Sequence, residues 1–474
     1  MNEYRHGAYA DQVDSPDYTS PSGVGTIPVY IGRAPVHQLT EYAGKNNVPI
    51  LISSWQDGLR KIGYSDNWND FELCEAMYAH FRNVVNSVGP IVVINALNPD
   101  DKKNEIRQTA AVNFVKRAAT ISNPRIILKT VAIKDKVRGI DYTAEYAEDG
   151  LSVVIRDLIG GIESAEVTFY EVDPDGVSEA DVTAAVNIGV PKIYNSLLVV
   201  PTILAAPGWS DKSNVFSALV TMLERINGHW YAWLNADLNT GTVKSIDAAI
   251  AAKESYGTAS EAAALLWPMA KKGSRKFHLS TLSTVTMQWV DFRNNNIPYE
   301  TPSNKQIDVD SLCLSDGTGV QFDQVEANRL NAHGINTANF WEGTWRMWGA
   351  HTMKYGEGIS LNARDVFDCN VRMMRYVENT FQRRYGTEVD KPMTRGRKDA
   401  VLNDFQAWLD GLAQDGALLM GTVEFVQEDN PVSDLVQGNF VFSTEFTNPV
   451  PGKSLTNKVR WTSRGLHSLF GGDA

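Results

Sequence analysis

The residue types that do chemistry are present in this 474-residue chain, but not at the spacings that chemistry requires. Pro449 to Ser454 ends in Gly452-Lys453-Ser454, the close of a phosphate-binding loop in which backbone N–H groups wrap the phosphates and the lysine reaches their outer oxygens. The first glycine of such a loop would stand where Thr447 is, and Pro449 and Pro451 stiffen the cradle, so the stretch reads as a proline-rich turn. Asn235, Asp237 and Asn239 alternate like a calcium loop, yet Thr240 occupies the glycine position and Ile246 the position of the closing glutamate. The eight histidines include no HExxH and no Cys or His pair at zinc spacing, and a lone His351 reads as a structural group. No G-x-S-x-G elbow or dinucleotide fingerprint follows a strand. Asp173 and Asp175 flank Pro174 as in a solvated turn, whereas glycosidic chemistry needs paired acids in an aromatic cleft. Trp341, Trp345 and Trp348 could line a platform for sugars or bases, although core or subunit packing is the commoner use. The basic stretch Arg383, Arg384, Lys391, Arg395, Arg397 and Lys398 reads as a solvated face that could meet an acidic neighbour. No catalytic residue, metal site or cofactor is expected.

Charge distribution carries more information than any motif. The net charge is −12 and 43% of residues are apolar, a globular composition long enough for two to four domains. That balance does not suit a general nucleic-acid binder, which needs a concentrated basic face. Residues 1–25 carry Glu3, Asp11, Asp14 and Asp17 against Arg5, whereas residues 453–474 carry Lys453, Lys458, Arg460 and Arg464 against Asp473. Neither end has the apolar content or helical period to fold alone, yet the second contains Leu455, Val459 and Trp461, which a purely solvated tail does not need. Both ends are expected to be extended arms that pair with other copies of the chain, strand to strand and charge to charge. Between Asp135 and Asp181, thirteen acidic residues stand against Lys136, Arg138 and Arg156. So acidic a surface is hard to bury against copies of itself and should face solvent in any assembly. Cys74, Cys313 and Cys369 are widely spaced and fit buried free thiols. The opening residues lack the apolar core of an export signal, and the apolar run Leu197 to Ala206 is broken by Pro201, so no membrane span is expected.

These features need elements to carry them. Thr26 to Arg33 reads as a strand, Asn69 or Asp70 caps a helix bearing Phe71, Cys74, Tyr78, Phe81 and Val85, Gly89-Pro90 ends it, and Ile91 to Leu97 has the unbroken apolar run of a strand covered on both faces. After about residue 104, IILKTVAIKD, LSVVIRDL and AEVTFYEVD suggest an inserted all-β domain. The α/β pattern resumes with a strand over Ser196 to Ala206, a helix carrying Val215, Leu219, Met222 and Ile226, and the strand-like HWYAWLNAD. Two amphipathic helices follow, one with Phe367, Val371, Met374 and Phe381, the other with Val401, Phe405, Trp408 and Leu412 and closing at Gly416. ALLMGTVEFVQ and NFVFSTEF then imply a half-buried sheet.

In order and spacing these segments resemble contractile tail sheath proteins of bacteriophages and phage-tail-like particles. HGAYADQVDSP followed by SGVGTIPVYIGRAP is similar to the family's opening arm and first core strand; PILISSWQDGLRKIG, LLVVPTILAAPGWSD, LNAHGINTANFWEGTWRMWGAHTM and the closing GTVEFVQ…NKVRW resemble its later segments, with His351 where arginine is frequent. The resemblance implies an α/β and α+β multidomain protein: an N-terminal linking arm (1–25), an α/β core (26–103 and 186–299) interrupted by an inserted acidic β-sandwich domain (104–185), a C-terminal α+β domain (300–452) and a C-terminal linking arm (453–474). It also implies a structural subunit, not an enzyme, that polymerises as stacked hexameric rings around a tail tube and contracts to drive the tube through the host envelope for genome ejection. Its expected partners are copies of itself, the tube protein, and baseplate and tail terminator proteins, with no nucleic acid and no membrane insertion. Its expected place is the virion tail, assembled in the host cytoplasm. Tyr4, Arg5, Tyr9, Asp11, Asp14, Lys458, Val459, Arg460 and Trp461 are expected to link neighbouring subunits. A non-contractile self-assembling protein and a carbohydrate-active enzyme are the alternatives; the first predicts a single polymer state, the second a cleft with coupled carboxylates.

Overall fold

The computed structural model describes residues 25–147, 150–256 and 260–470. The chain opens with β1 (Pro28–Gly32), β2 (Pro49–Ile52), α1 (Trp55–Ile62), α2 (Glu72–Phe81) and β3 (Ile91–Asn95). β1 and β3 pair in parallel, Val29 opposite Val92. Every residue of both is buried, which explains why their sequences are continuous apolar runs. The Ser54 hydroxyl starts α1 by accepting from Asp57 N, and Gly63, at φ +76°, ends it where a side chain would strike the Pro35 carbonyl. α2 is shorter than the sequence suggests: its cap is Phe71, and it stops at Phe81 well before Gly89-Pro90. The Asn83 side chain accepts from the N–H groups of Val85 and Asn86, and this local bonding draws the backbone out of the helix.

Next come β4 (Gln108–Asn113), β5 (Ala118–Ile121), β6 (Ala132–Ile133), β7 (Tyr142–Tyr146), β8 (Val153–Asp157) and β9 (Ser164–Phe169). They form two antiparallel three-stranded sheets, ordered β4–β9–β6 and β5–β8–β7. Between them lies an apolar cluster of their own, including Ile126, Tyr142, Val153, Ile155 and Val167. IILKTVAIKD is mostly turn, because the Thr130 hydroxyl bonds back to the Ile127 carbonyl at 2.7 Å and only Ala132 and Ile133 join a ladder.

The chain returns through α3 (Glu179–Gly189), started by a reciprocal Ser178–Asp181 capping box, then α4 (Ile193–Leu197) and β10 (Ile203–Ala205). The strand expected over Ser196 to Ala206 is therefore divided: Leu198 takes a left-handed φ of +57° at the end of α4, and Pro201 has no N–H for a ladder. α5 (Ser213–Thr221), β11 (Trp233–Asp237), α6 (Ile246–Ser255) and β12 (Ala263–Leu266) extend the parallel sheet. A small antiparallel sheet of β13 (Met269–Lys272), β14 (Arg275–His278), β15 (Ser311–Cys313) and β16 (Gly319–Val320) brackets α7 (Leu279–Arg293), which is buried along nearly its whole length. After α8 (Gln324–Ala332), the hairpin of β17 (Ile335–Trp341) and β18 (Thr344–Trp348) completes an eight-stranded sheet, ordered β18–β17–β12–β11–β10–β1–β3–β2.

The last elements are α9 (Asp368–Tyr385), α10 (Arg395–Gln414), β19 (Met420–Glu424), α11 (Val432–Val436) and β20 (Ser443–Thr447). Val401, Phe405, Trp408 and Leu412 form the buried face of α10, and Gly416 follows its end at φ +77°. Phe405, Trp408 and Leu412 pack on Met373, Tyr376 and Val377 of α9 in a third apolar cluster. A mixed α/β protein with three separate cores is a multidomain architecture.

Candidate intersubunit surface

The residues whose types suggested chemistry lie apart and serve the fold. Asp237, at the end of β11, accepts from Ser280 N at 2.9 Å, and Asn235 donates to Thr284 Oγ1 at 2.8 Å. Both tie the sheet to α7. His351 stacks on Tyr355 with ring centres 3.6 Å apart, and its Nδ1 lies 3.0 Å from the Val366 carbonyl; burial lowers its pKa to about 4 and keeps it neutral. Trp345 and Trp348 give their indole N–H groups to Asp310 O and Asn328 Oδ1. Strand alternation sends Trp345 to the opposite face from Trp341 and Trp348, so the three make no common platform. In the basic stretch Arg384 pairs with Asp404, Lys391 and Arg397 with Glu388, and Lys398 with Asp399.

Open α/β sheets bind ligands outside the carboxyl ends of the strands where strand order reverses, here β1 and β10. In this chain that crevice is filled by protein. Arg33 pairs with Glu72, donates to the Pro174 carbonyl at 2.9 Å and lies over Trp209. Nearby, His278 Nδ1 is 2.8 Å from Glu75 Oε2. Burial opposes charge on His278, but the neighbouring carboxylates, Glu75 foremost with Asp237 and Glu72, together outweigh it and raise the pKa to about 9. Among the described residues, no group of three His, Cys, Asp or Glu could hold a metal ion, and no helix is long and apolar enough to cross a membrane. The three cysteines are free and buried.

An unpaired strand edge invites another chain, and three of the edges here, those of β18, β2 and β19, are guarded. Beside β18, Asn304 and Ile307 donate backbone N–H groups to the Met347 and Trp345 carbonyls. On β2, Lys61 Nζ donates to the Leu51 carbonyl at 2.6 Å. On β19, Gln406 Nε2 donates to Gly421 O at 2.9 Å and its Oε1 accepts from Val423 N at 3.0 Å. A side-chain amide thus stands where a neighbouring backbone would. Because Gly421 and Val423 turn these groups outward, their cross-strand partners Phe446 and Thr444 on β20 turn theirs to the opposite edge. Among the described residues no strand lies beside that edge. Phe446 faces the third apolar cluster, whereas Glu424 and Glu445 are exposed.

From Asn448 the chain leaves this sheet and forms no helix or strand through residue 462. Leu455, Val459 and Trp461 are 93%, 84% and 80% exposed, and Lys458 and Arg460 are exposed with them. In an extended backbone Leu455, Val459 and Trp461 fall on one side and Lys458 and Arg460 on the other, the pattern of a half-buried strand. Large apolar side chains displayed in a row mark an interaction surface. Lys458, Val459, Arg460 and Trp461 therefore share one segment, while Tyr4, Arg5, Tyr9, Asp11 and Asp14 lie outside the described residues. Sequence reasoning missed the open edge of β20. The segment NFVFSTEF signalled a half-buried sheet, of which only Ser443–Thr447 forms the strand, but nothing in it says which edge is guarded.

No family model matches the chain. It is 23% identical over 478 aligned residues to the tail sheath protein of Burkholderia phage BcepMu, covering 95% of this chain and 94% of that protein. A putative prophage major tail sheath protein of Pseudomonas aeruginosa (strain UCBPP-PA14) is 25% identical over 57% of this chain and 67% of its own length. Among solved structures, a chain of the anti-feeding prophage baseplate superposes with a TM-score of 0.59 at 15% identity, covering 97% of this chain and 99% of that one. A chain of the PVC extracellular contractile injection system, in its contracted sheath, gives 0.57 at 15% identity, with 98% and 99% covered. The resemblance to tail sheath proteins read from the sequence thus extends along nearly the whole chain, and the fold is one found in contractile sheath assemblies.

Proposed function

We propose that this chain is the subunit of a contractile tail sheath, a structural protein with no catalytic role. The observation that carries the reading is an exposed amphipathic segment, Leu455 to Trp461, on a molecule whose β20 edge is open. In the assembly, residues 453–474 of one copy add a strand to the sheet of another, with Lys458 and Arg460 on the face of the exposed Glu445 and Trp461 toward the apolar face. The acidic residues 1–25, through Tyr4, Arg5, Tyr9, Asp11 and Asp14, make a second link of the same kind. The parts 26–103 with 186–299, and 300–452, move as rigid bodies, and residues 104–185 point outward. Links between different surfaces need not close, which permits stacked hexameric rings in a helical lattice around a tail tube, bounded by baseplate and terminator proteins. Contraction requires two packings of one subunit separated by a barrier, the extended one metastable; release drives the tube through the host envelope for genome ejection. Assembly takes place in the host cytoplasm and the product is a virion tail.

Negative-stain electron microscopy of the concentrated full-length protein tests the reading, alone and co-expressed with a tube protein. Hollow striated tubes are expected, and they should be lost on deletion of residues 1–20 or 453–474 while the monomer stays folded. Normal tubes from both deletions, or dispersed particles even with a tube protein, would overturn it.

A further inference from the structure

Thr26, next to the start of the described residues, and Asn448, where the chain leaves β20, stand 422 residues apart in sequence, yet both are linked to the first two turns of α9. The Thr26 hydroxyl donates to Asp291 Oδ2 at 2.6 Å, and the same oxygen is paired with the Arg372 guanidinium. Asp291 and Arg372 are buried, and Gln288, one turn earlier on α7, donates to the Thr26 carbonyl at 3.1 Å. On the other side, Asn448, itself buried, donates its amide to Asn370 Oδ1 at 3.0 Å. Residues 370 and 372 of a helix point about 200° apart, so Asn448 directly, and Thr26 through Asp291 of α7, are joined to opposite sides of α9. The turn carrying Asn370 and Arg372 is itself pinned at its start, where Asp368 accepts from the Thr301 hydroxyl at 2.9 Å and from Cys369 N at 2.6 Å.

We propose that this turn of α9, through Asp291–Arg372 on one side and Asn370 on the other, is a common anchor for both arms, so that a pull on one is delivered to the other across a single helix. This deepens the sheath reading and rests on it for its biological use. In a lattice joined by arms, force enters each subunit at Thr26 and leaves at Asn448, or the reverse. A path that crosses one helix, roughly 10 Å wide, spares the central strand β1 and the short β19–β20 sheet from being peeled. Asp291, Arg372, Asn370 and Asn448 are positioning residues for the arms, not contacts between subunits.

The test is single-molecule pulling on the isolated full-length chain, held by its two ends, in the wild type and in Asn448→Ala, Asp291→Asn and, as a control on the same helix, Asn379→Ala. Asn379 holds α9 to Tyr231 through two hydrogen bonds of 2.9 and 2.8 Å that lie off the proposed path. The expected result is that Asn448→Ala shortens the lifetime of the intact molecule at fixed load roughly two- to tenfold, the factor given by one hydrogen bond of ordinary strength, that Asp291→Asn, which leaves the buried Arg372 charge unpaired, shortens it more, and that Asn379→Ala lowers the melting temperature without shortening that lifetime. Unchanged lifetimes in both anchor variants, or an equal loss in the control, would overturn the anchor. Because the measurement needs no polymer, failure to form tubes would count against the sheath reading and leave this one standing.

Discussion

Replacing Trp461 by alanine separates an arm that binds other copies from a tail that packs on its own chain. An indole side chain can cover about 150–250 Å². With the residue 80% exposed, about 200 Å² is still open, worth about 5 kcal/mol at ~25 cal/mol per Å² if a neighbour covers all of it. Ordering the side chain offsets about 1 kcal/mol. Truncation should therefore cost the contact about 2–4 kcal/mol, the range of an interface hot spot, and raise the critical concentration for polymerisation roughly 30- to 1,000-fold. The monomer should be indifferent, its unfolding free energy moving by less than about 0.5 kcal/mol. Sedimentation of polymer against total protein gives the first number, and urea unfolding of dilute protein the second. An unchanged critical concentration would refute the reasoning, as would a loss of monomer stability of the same size.

Four further outcomes follow from the same geometry. Gln406→Ala removes the cap on β19, and should cost the monomer about 1 kcal/mol and open a second edge, seen as irregular aggregation by light scattering. Phe405→Ala in the third apolar cluster should cost about 3–5 kcal/mol in calorimetric or denaturant unfolding. Against the cost of burial, Glu75 with Asp237 and Glu72 raises the pKa of His278 from 6.5 to about 9, so its stabilisation is full below about pH 6.5 and is lost as pH rises through 9; unfolding free energy should fall by about 3 kcal/mol across that window, and His278→Gln should flatten the decline. Burial pushes the Cys74 and Cys369 thiols well up, so a thiol reagent should modify neither at neutral pH until the protein unfolds.

The parts of the fold legible in the sequence are those whose burial leaves a compositional mark. β1 and β3 are covered on both faces and read as apolar runs; α10 is covered on one and reads as a stripe through Val401, Phe405, Trp408 and Leu412. Ser196 to Ala206 misleads because an apolar run does not distinguish a helix from a strand, and the break depends on the left-handed Leu198. The arm itself was visible as Leu455, Val459 and Trp461 among basic residues. Its candidate acceptor was not, because an edge is open or guarded according to residues elsewhere in the chain, such as Gln406 against Gly421 and Val423. The α9 anchor was equally hidden: Asp291 and Arg372 are 81 residues apart and look like ordinary surface charges.

The guard on β19 and the open edge on β20 support the proposed use of β20 by another copy. The chain's own arm begins at residue 453, six residues after the end of β20, and has the right amphipathic pattern, so a hairpin back onto that edge would be the shortest way to pair it. Three features oppose the turn. Asn448 is held by Asn370, and Pro449 and Pro451 each fix φ near −65°, which together restrain the backbone where a hairpin would have to turn. On the proposed reading the matching strand and edge meet between chains. Each copy would then offer one strand and take one, a contact between different surfaces that grows without closing on itself. Mutating Pro449 and Pro451 together to Asn-Gly-like turn residues should relieve the constraint, and the arm would then fold onto its own β20 and leave a stable monomer that no longer assembles.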